Sequence, residues 1–174
     1  MAHDTAFALG LGANIGRPIK QIREACRLLE EGGVSGVRVS PLYETAPVDC
    51  VPGTPPFVNG ALVGLWAGAA TGLLDLCHHI ENTLGRPADH SSQESRTIDL
   101  DLLLFDELVI NGERLLLPHP LLRKRLFVLI PLRDVAPDWA IPPDGARVKD
   151  VCAELVCRAG GKVGIKRLGE NGSK

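Results

Sequence analysis

The run Thr97-Ile98-Asp99-Leu100-Asp101-Leu102-Leu103-Leu104-Phe105 constrains this chain more than any other stretch. Its alternation is that of a half-buried β-strand, in which residues two apart project from one face, about 6.5 Å apart at ~3.3 Å per residue. Ile98, Leu100, Leu102 and Leu104 are expected to fill one face and hold the strand against a core, leaving Asp99 and Asp101 together on the other. Two carboxylates that close repel unless a cation or a proton sits between them. Hard divalent ions such as Mg²⁺ bind through one or two carboxylates plus phosphate oxygens, so Asp99 and Asp101 are candidate metal ligands. Two solvated strand acids would be the plainer reading, and the neighbourhood argues against it. Arg96 stands three residues before Asp99, Arg86 lies upstream, and Arg114, His119, Arg123 and Arg125 follow. Acids for a metal and cations for phosphate oxygens are what a nucleotide triphosphate site requires.

The rest of the chain supplies a sheet and helices for such a strand. Ala6 to Leu11 reads as a buried strand, Gly12 to Gly16 as a turn, and Pro18 as the first turn of a helix carrying Ile19, Ile22, Cys26 and Leu29. Gly32-Gly33 stops that helix, and Val34 to Tyr43 reads as one strand ending near Pro41. After a Pro- and Gly-rich loop from Ala46 to Pro56, Phe57 to Val63 reads as a third strand. Thr71 is the expected N-cap of a helix with Leu73, Leu74, Cys77, Ile80 and Leu84 on its apolar face, closed by Gly85. Arg86 to Ser95 is a polar stretch of about ten residues, a length at which loops tend to be functional. Asn111-Gly112 predicts a ribbon of Leu108–Ile110 against Arg114–Leu116. A helix is expected from Phe127 into Val135, an amphipathic segment from Val148 to Cys157, and a frayed tail over 169–174. The order β-α-β-β-α-β followed by helices predicts an α+β fold: a ferredoxin-like α/β sandwich, mostly antiparallel, in one domain over 1–174.

Composition excludes several classes. A net charge of -2 and 45% hydrophobic residues fit a globular chain and argue against disorder or bulk-charge binding to nucleic acid. No apolar run reaches the ~18 residues of a membrane span, and Met1-Ala2-His3-Asp4 lacks the pattern of a secretory signal. The expectation is a cytoplasmic protein binding neither membrane nor nucleic acid. The five cysteines include no C-x-x-C pair, so neither a disulfide framework nor a zinc ribbon is expected. Gly10-x-Gly12-x-x-x-Gly16 misses the dinucleotide fingerprint by one position, and no phosphate-binding loop of the G-x-x-x-x-G-K type occurs. Phosphates here must be held by side chains and metal.

Five motifs occur in order: Leu11-Gly12-Ala13-Asn14-Ile15-Gly16, Tyr43-Glu44-Thr45-Ala46-Pro47, Phe57-Val58-Asn59, Arg96-Thr97-Ile98-Asp99-Leu100-Asp101, and Leu117-Pro118-His119-Pro120 with Arg125-Leu126-Phe127. The set resembles the 6-hydroxymethyl-7,8-dihydropterin pyrophosphokinase family from about Phe7 to Pro142. The resemblance implies transfer of pyrophosphate from ATP to the pterin hydroxymethyl group, with release of AMP, in folate biosynthesis. It implies two Mg²⁺ ions on Asp99 and Asp101, with Arg86 and Arg96 beside them in the catalytic set. Phe57 and Phe127 correspond to the aromatic pair around the pterin, with Asn59, Thr45 and the backbone near Val48 reading its polar edge. Glu81, Arg86, Arg96, Leu102, Arg114, His119 and Arg125 correspond to ATP contacts, and the expected species is a monomer.

One stretch departs from the family. Members usually carry a second arginine two residues beyond Arg86 and then an Arg-Trp-Gly-Pro-like run. Here those positions read Ala88, Ser92, Gln93, Glu94 and Ser95. His90 and Lys124 are alternative sources of the missing charge. Two rivals stay open on the residues alone. One is a non-catalytic pterin- or nucleotide-binding module of the same fold, and the other is a Mg²⁺-dependent nucleotide hydrolase.

Overall fold

The computed structural model describes residues 4–47, 52–85, 96–161 and 163–169. Val48, Arg86, His90, the Ala88 and Ser92–Ser95 positions, Cys50 and the tail beyond Gly169 lie outside the described residues. The central sheet is antiparallel throughout. It comprises β1 (Thr5–Ala13), β2 (Ser35–Val39), β3 (Tyr43–Thr45), β4 (Phe57–Trp66), β5 (Asp99–Phe105) and, after two short strand pairs, β10 (Ile165–Arg167). Its order is β10-β3-β4-β1-β5, with β2 also on β4. The α+β class with helices packed on a mostly antiparallel sheet is thus the architecture observed.

Strand β1 shows how the sequence divides the two faces. Its large residues Phe7, Leu9 and Leu11 join one core with Ile22 and Leu29 of α1 (Pro18–Glu31) and Leu73, Cys77 and Ile80 of α2 (Ala70–Thr83). Its alternate residues are small: Ala8, Gly10 and Gly12. Ala8 belongs to the second core, with Ala61 and Val63 of β4, Leu129 and Leu132 of α3 (Leu126–Val135), and Cys152 of α4 (Val148–Arg158). The α3 side of the sheet therefore carries no side chain on β1 at residues 10 and 12. Between β5 and α3 run the ribbon of β6 (Ile110–Asn111) with β7 (Leu116–Leu117) and a 3₁₀ turn, Leu122–Lys124; β8 (Ala140–Ile141) pairs with β9 (Ala146–Arg147) ahead of α4.

Four expectations need correction. Val34–Tyr43 is two strands: Val39 pairs with Leu62 and Tyr43 with Asn59, and Pro41, which has no N–H for the ladder, separates them. Helix α2 has Ala69 at its N-cap with no side-chain cap, so Thr71 sits inside the first turn. There the Ala69 carbonyl accepts the Gly72 N–H at 3.0 Å and the Trp66 indole N–H at 3.1 Å. In β5 the alternation breaks at Leu103, because Ala8 pairs with Leu104 and Leu9 with Leu102. This bulge turns Leu104 to the α3 core, away from the face of Leu100 and Leu102. The ribbon pairs Ile110 with Leu117 and Asn111 with Leu116, which shifts it toward Pro118. Strand β10 on β3 has too little apolar pattern to read from sequence.

Candidate active site

The register places the acids over the bare stretch of β1. Gly12 pairs with Asn59 on one side and Asp99 on the other, and Gly10 pairs with Ala61 and Asp101. Asn59, Gly12 and Asp99 therefore form one row across three strands, with Asp101 in the next row. A Cβ at Gly12 would lie 3.3 Å from Asn59 Oδ1 and 3.8 Å from Asp99 Cβ, so a side chain there would occupy the floor between amide and acid. Both acids are half-buried, in place of the solvent-facing pair that the alternation suggests.

Asp99 is held by a cation, and the backbone between the two acids by a clamp. The Arg96 guanidinium pairs with Asp99, and their side chains are 14% and 16% exposed. Arg96 is itself fixed through its backbone. Its N–H donates to Asn14 Oδ1 at 2.7 Å, its carbonyl accepts the Asn14 N–H at 3.0 Å, and Asn14 Nδ2 donates to the Pro55 carbonyl at 3.3 Å. Asn14, at the end of β1, thus ties Arg96 to the loop before β4. Sequence reasoning passed over Asn14, although a polar residue where an apolar strand ends in a Gly-bounded turn was a usable signal. Strand β5 is a sheet edge, and Glu81 of α2 satisfies it: Oε1 accepts the Leu100 N–H at 2.7 Å, with Glu81 only 6% exposed. The clamp falls between the two acids.

Two cavities meet at Asp99 and Asp101. The smaller, about 90 Å³, is a slot lined by Phe57, Phe127, Asn59, Thr45, Arg96 and Arg125 over Gly10 and Gly12. Asn59 Nδ2 donates to Thr45 Oγ1 at 2.7 Å, and both residues are buried. The Arg125 guanidinium lies 5.4 Å from the centre of the Phe127 ring. The larger, about 660 Å³, is an open groove along the outer edge of β5, between α2 and the β6–β7 ribbon. Glu81, Leu102, Arg114 and His119 line it, as do Leu74, His78 and Asn82, one face of α2 that sequence reasoning did not single out. The 74/78/82 spacing was the available signal.

His119 Nδ1 accepts the Leu121 N–H at 3.1 Å, which leaves the ring proton on Nε2. Burial, seconded by Arg125 and opposed by Asp99, holds this imidazole below its ordinary range, so it is a neutral donor near pH 7. Arg114 pairs with Asp75 at 2.7 Å across the exposed rim of the groove. Arg125, grouped with the nucleotide set from sequence, lines the slot. Arg123 pairs with Asp144 and donates to the Ile141 carbonyl at 3.1 Å, which places it at the β8–β9 turn. Lys124 lines neither slot nor groove.

Two carboxylates on one face fit a hard cation that takes its other ligands from phosphate and water. Among the described residues no group of three or more His, Cys, Asp or Glu could hold a metal by itself, so the donor set suits such an ion better than zinc. No helix among the described residues is long and apolar enough to cross a membrane.

Residues 8–137 match the family described as 7,8-dihydro-6-hydroxymethylpterin-pyrophosphokinase. The chain is 38% identical over 146 residues to the 2-amino-4-hydroxy-6-hydroxymethyldihydropteridine pyrophosphokinase of Pseudomonas aeruginosa, covering 83% of this chain and 88% of that one. It is 39% identical over 128 residues to the protein of the same name from Bacillus subtilis, covering 73% and 75%. It is also 40% identical over 133 residues to the mitochondrial folate synthesis bifunctional protein of Arabidopsis thaliana, spanning only 23% of that protein's length. In three dimensions it resembles the wild-type Plasmodium falciparum HPPK-DHPS solved with pteroate, with a TM-score of 0.75, 15% identity, and coverage of 95% of this chain and 48% of the other. At that identity the likeness establishes the fold.

Proposed function

The chain belongs to the 7,8-dihydro-6-hydroxymethylpterin-pyrophosphokinase family, and from that premise we propose that it transfers pyrophosphate from ATP to the hydroxymethyl group of 6-hydroxymethyl-7,8-dihydropterin, releasing AMP. The observation that carries this reading is that Asp99 and Asp101 are the shared wall of an aromatic-lined slot and a larger polar groove. Two substrates seated in those cavities would meet at the acids.

The pterin ring enters the slot between Phe57 and Phe127, and Asn59 and Thr45 meet its polar edge. ATP lies in the groove, with Arg114 and the neutral His119 directed at its phosphates and Arg96 approaching them from the slot side, beside Asp99. In the transfer the hydroxymethyl oxygen bonds to the β-phosphorus and releases its proton to water. The bond from that phosphorus to the oxygen of the α-phosphate breaks, and AMP leaves with the electron pair. Little covalent chemistry falls to the protein; its part is positioning and charge neutralisation. Asp99 and Asp101 would hold Mg²⁺, two ions by family resemblance, and the bound metal supplies neutralisation of the phosphate charge. The Arg96 guanidinium offsets the negative charge of Asp99 itself. Arg86, outside the described residues, belongs to the same phosphate-binding set.

Action as a monomer belongs to the same proposal. Cys26, Cys77, Cys152 and Cys157 are free thiols, in keeping with a reducing, cytoplasmic setting. The test is to mix the protein with ATP, Mg²⁺ and the hydroxymethyl-dihydropterin and follow AMP. AMP that appears only with the pterin is the expected result. AMP without it makes the protein a nucleotide hydrolase, and no AMP under either condition makes it a binding module.

A further inference from the structure

A third cavity, of about 530 Å³, lies between the start of α3, the end of α4 and β10. Phe127, Arg125, Thr45 and Ala46 line both this cavity and the slot, whereas Asp99 and Asp101 line only the slot. Leu155 and Arg158 of α4, with Val163 and Ile165 before and on β10, complete the lining from beyond the 8–137 segment shared with the family. The volume is in the usual range for a small-molecule site.

The lining has one chemical character. Leu126, Phe127, Leu155, Val163 and Ile165 make an apolar floor, and Lys124, Arg125 and Arg158 supply three cations with no acid among the described lining residues. Lys124 is exposed, and Arg158 makes only a loose 3.5 Å contact with Glu154 on the exposed face of α4. Neither substrate of the transfer suits this cavity. A triphosphate with its metal would need carboxylates. A pterin edge would need several amide or hydroxyl partners, and among the described lining residues only Thr45 carries an uncharged polar side chain; Asn59, its partner in the slot, does not line this cavity. A planar apolar body ending in a carboxylate satisfies both halves of the lining. Its ring packs on the leucine, valine, isoleucine and phenylalanine side chains, and its carboxylate meets guanidinium groups, whose forked donors match that geometry.

We infer that this cavity is a second ligand site, for an aromatic carboxylate, sharing the Phe127 ring with the pterin slot. The site goes beyond the transfer reaction and does not depend on it. Because Phe127 is common to both, occupancy on one side is coupled to affinity on the other, by the same factor in both directions.

The probe is naphthoate, titrated into the full chain and followed by methyl NMR. Saturable shifts are expected on Leu155, Val163 and Ile165. The double substitution Lys124→Glu with Arg158→Glu should weaken binding at least tenfold without changing the melting temperature, since both side chains are exposed. If the reversal melts early, Lys124→Ala with Arg158→Ala should still weaken binding severalfold. Binding indifferent to these substitutions would overturn the inference. So would shifts confined to Leu11 and Val128 on the slot side, or the lack of any saturable shift.

Discussion

Glu81 offers the sharpest separation between a residue that builds the site and one that touches substrate. Its carboxylate accepts the Leu100 N–H at 2.7 Å from a buried position, on the edge of β5 and between the two acids. Glu81→Ala orphans that donor, at a cost of about 2 kcal/mol within the ~1–3 kcal/mol usual for a buried unsatisfied group. At this chain length, ~2–4 °C per kcal/mol makes that a fall in Tm of roughly 4–8 °C. The loss also frees the backbone on which both acids ride, and a misplacement of about 1 Å costs on the order of a hundredfold in rate. Glu81→Gln keeps an acceptor oxygen in the same place and removes only the charge. It should lose about 1 kcal/mol, since a neutral hydrogen bond has roughly half the strength of a charge-assisted one, and keep most turnover. Calorimetric melting and AMP release, measured on both variants, decide the matter. A Tm for Glu81→Ala equal to wild type would refute the clamp. Loss of activity in Glu81→Gln as complete as in Glu81→Ala, with Tm held, would show that the charge acts on the nucleotide itself.

Asp99→Asn and Asp101→Asn should each nearly abolish AMP release, because half the carboxylate set at the meeting point of the cavities is gone; near-normal turnover at limiting Mg²⁺ in both would dismiss the metal assignment. Phe127→Ala should weaken pterin binding by roughly tenfold to a hundredfold, as stacking on an aromatic is worth about 1–3 kcal/mol. An equal loss of ATP affinity in titration calorimetry would point to damaged packing instead. Asn14→Ala should raise the KM for ATP severalfold, since the Arg96 N–H then loses its side-chain acceptor, leaving Arg96 its backbone bond to residue 14; steady-state kinetics unchanged from wild type would remove Asn14 from the site. Tyr43, whose hydroxyl donates to Asp134, has its phenol pushed up to about 12, chiefly by burial. A group whose folded value is raised stabilises below its unfolded value, near 10, and that contribution fades as the pH climbs toward the folded value. Wild type should therefore lose stability from about pH 10 upward more steeply than Tyr43→Phe, and parallel denaturant midpoints across that range would contradict this.

What the sequence made legible follows from periodicity and residue chemistry. Asp99 and Asp101 on one face of a strand, the helices on Pro18 and around Leu73, and the opening strand over Ala6–Leu11 are local patterns, and they fold as read. What stayed hidden depends on partners distant in sequence. The bulge at Leu103 exists because β5 must match β1, and nothing within Leu102-Leu103-Leu104 distinguishes the residue left unpaired. Strand β10 is held by pairing with β3 across the molecule, with Ile165 opposite Thr45. Glu81 reads from the family resemblance as an ATP contact, whereas its bond to Leu100 requires knowing that β5 is an edge. Lys124 and Arg125 are adjacent in the chain, yet only Arg125 reaches the slot, a separation that no charge count reveals.

The position of the acids is set by two vacancies in the sheet. On one side β1 offers Gly10 and Gly12 where any other residue would project a side chain, and the helix that covers Ala8, Ala61 and Val63 begins only at Leu126. The uncovered strip becomes the floor of the slot, which Gly10 and Gly12 line. On the other side no strand follows β5 among the described residues, so its outer edge is satisfied by a glutamate from α2 and stays open as the groove. A side chain on β1 would fill the first cavity, and a further strand beyond β5 would close the second. With both absent, Asp99 and Asp101 are reached from two directions on a backbone that the leucine face keeps still. A transfer between two bound molecules needs that arrangement, and a site for one ligand alone does not.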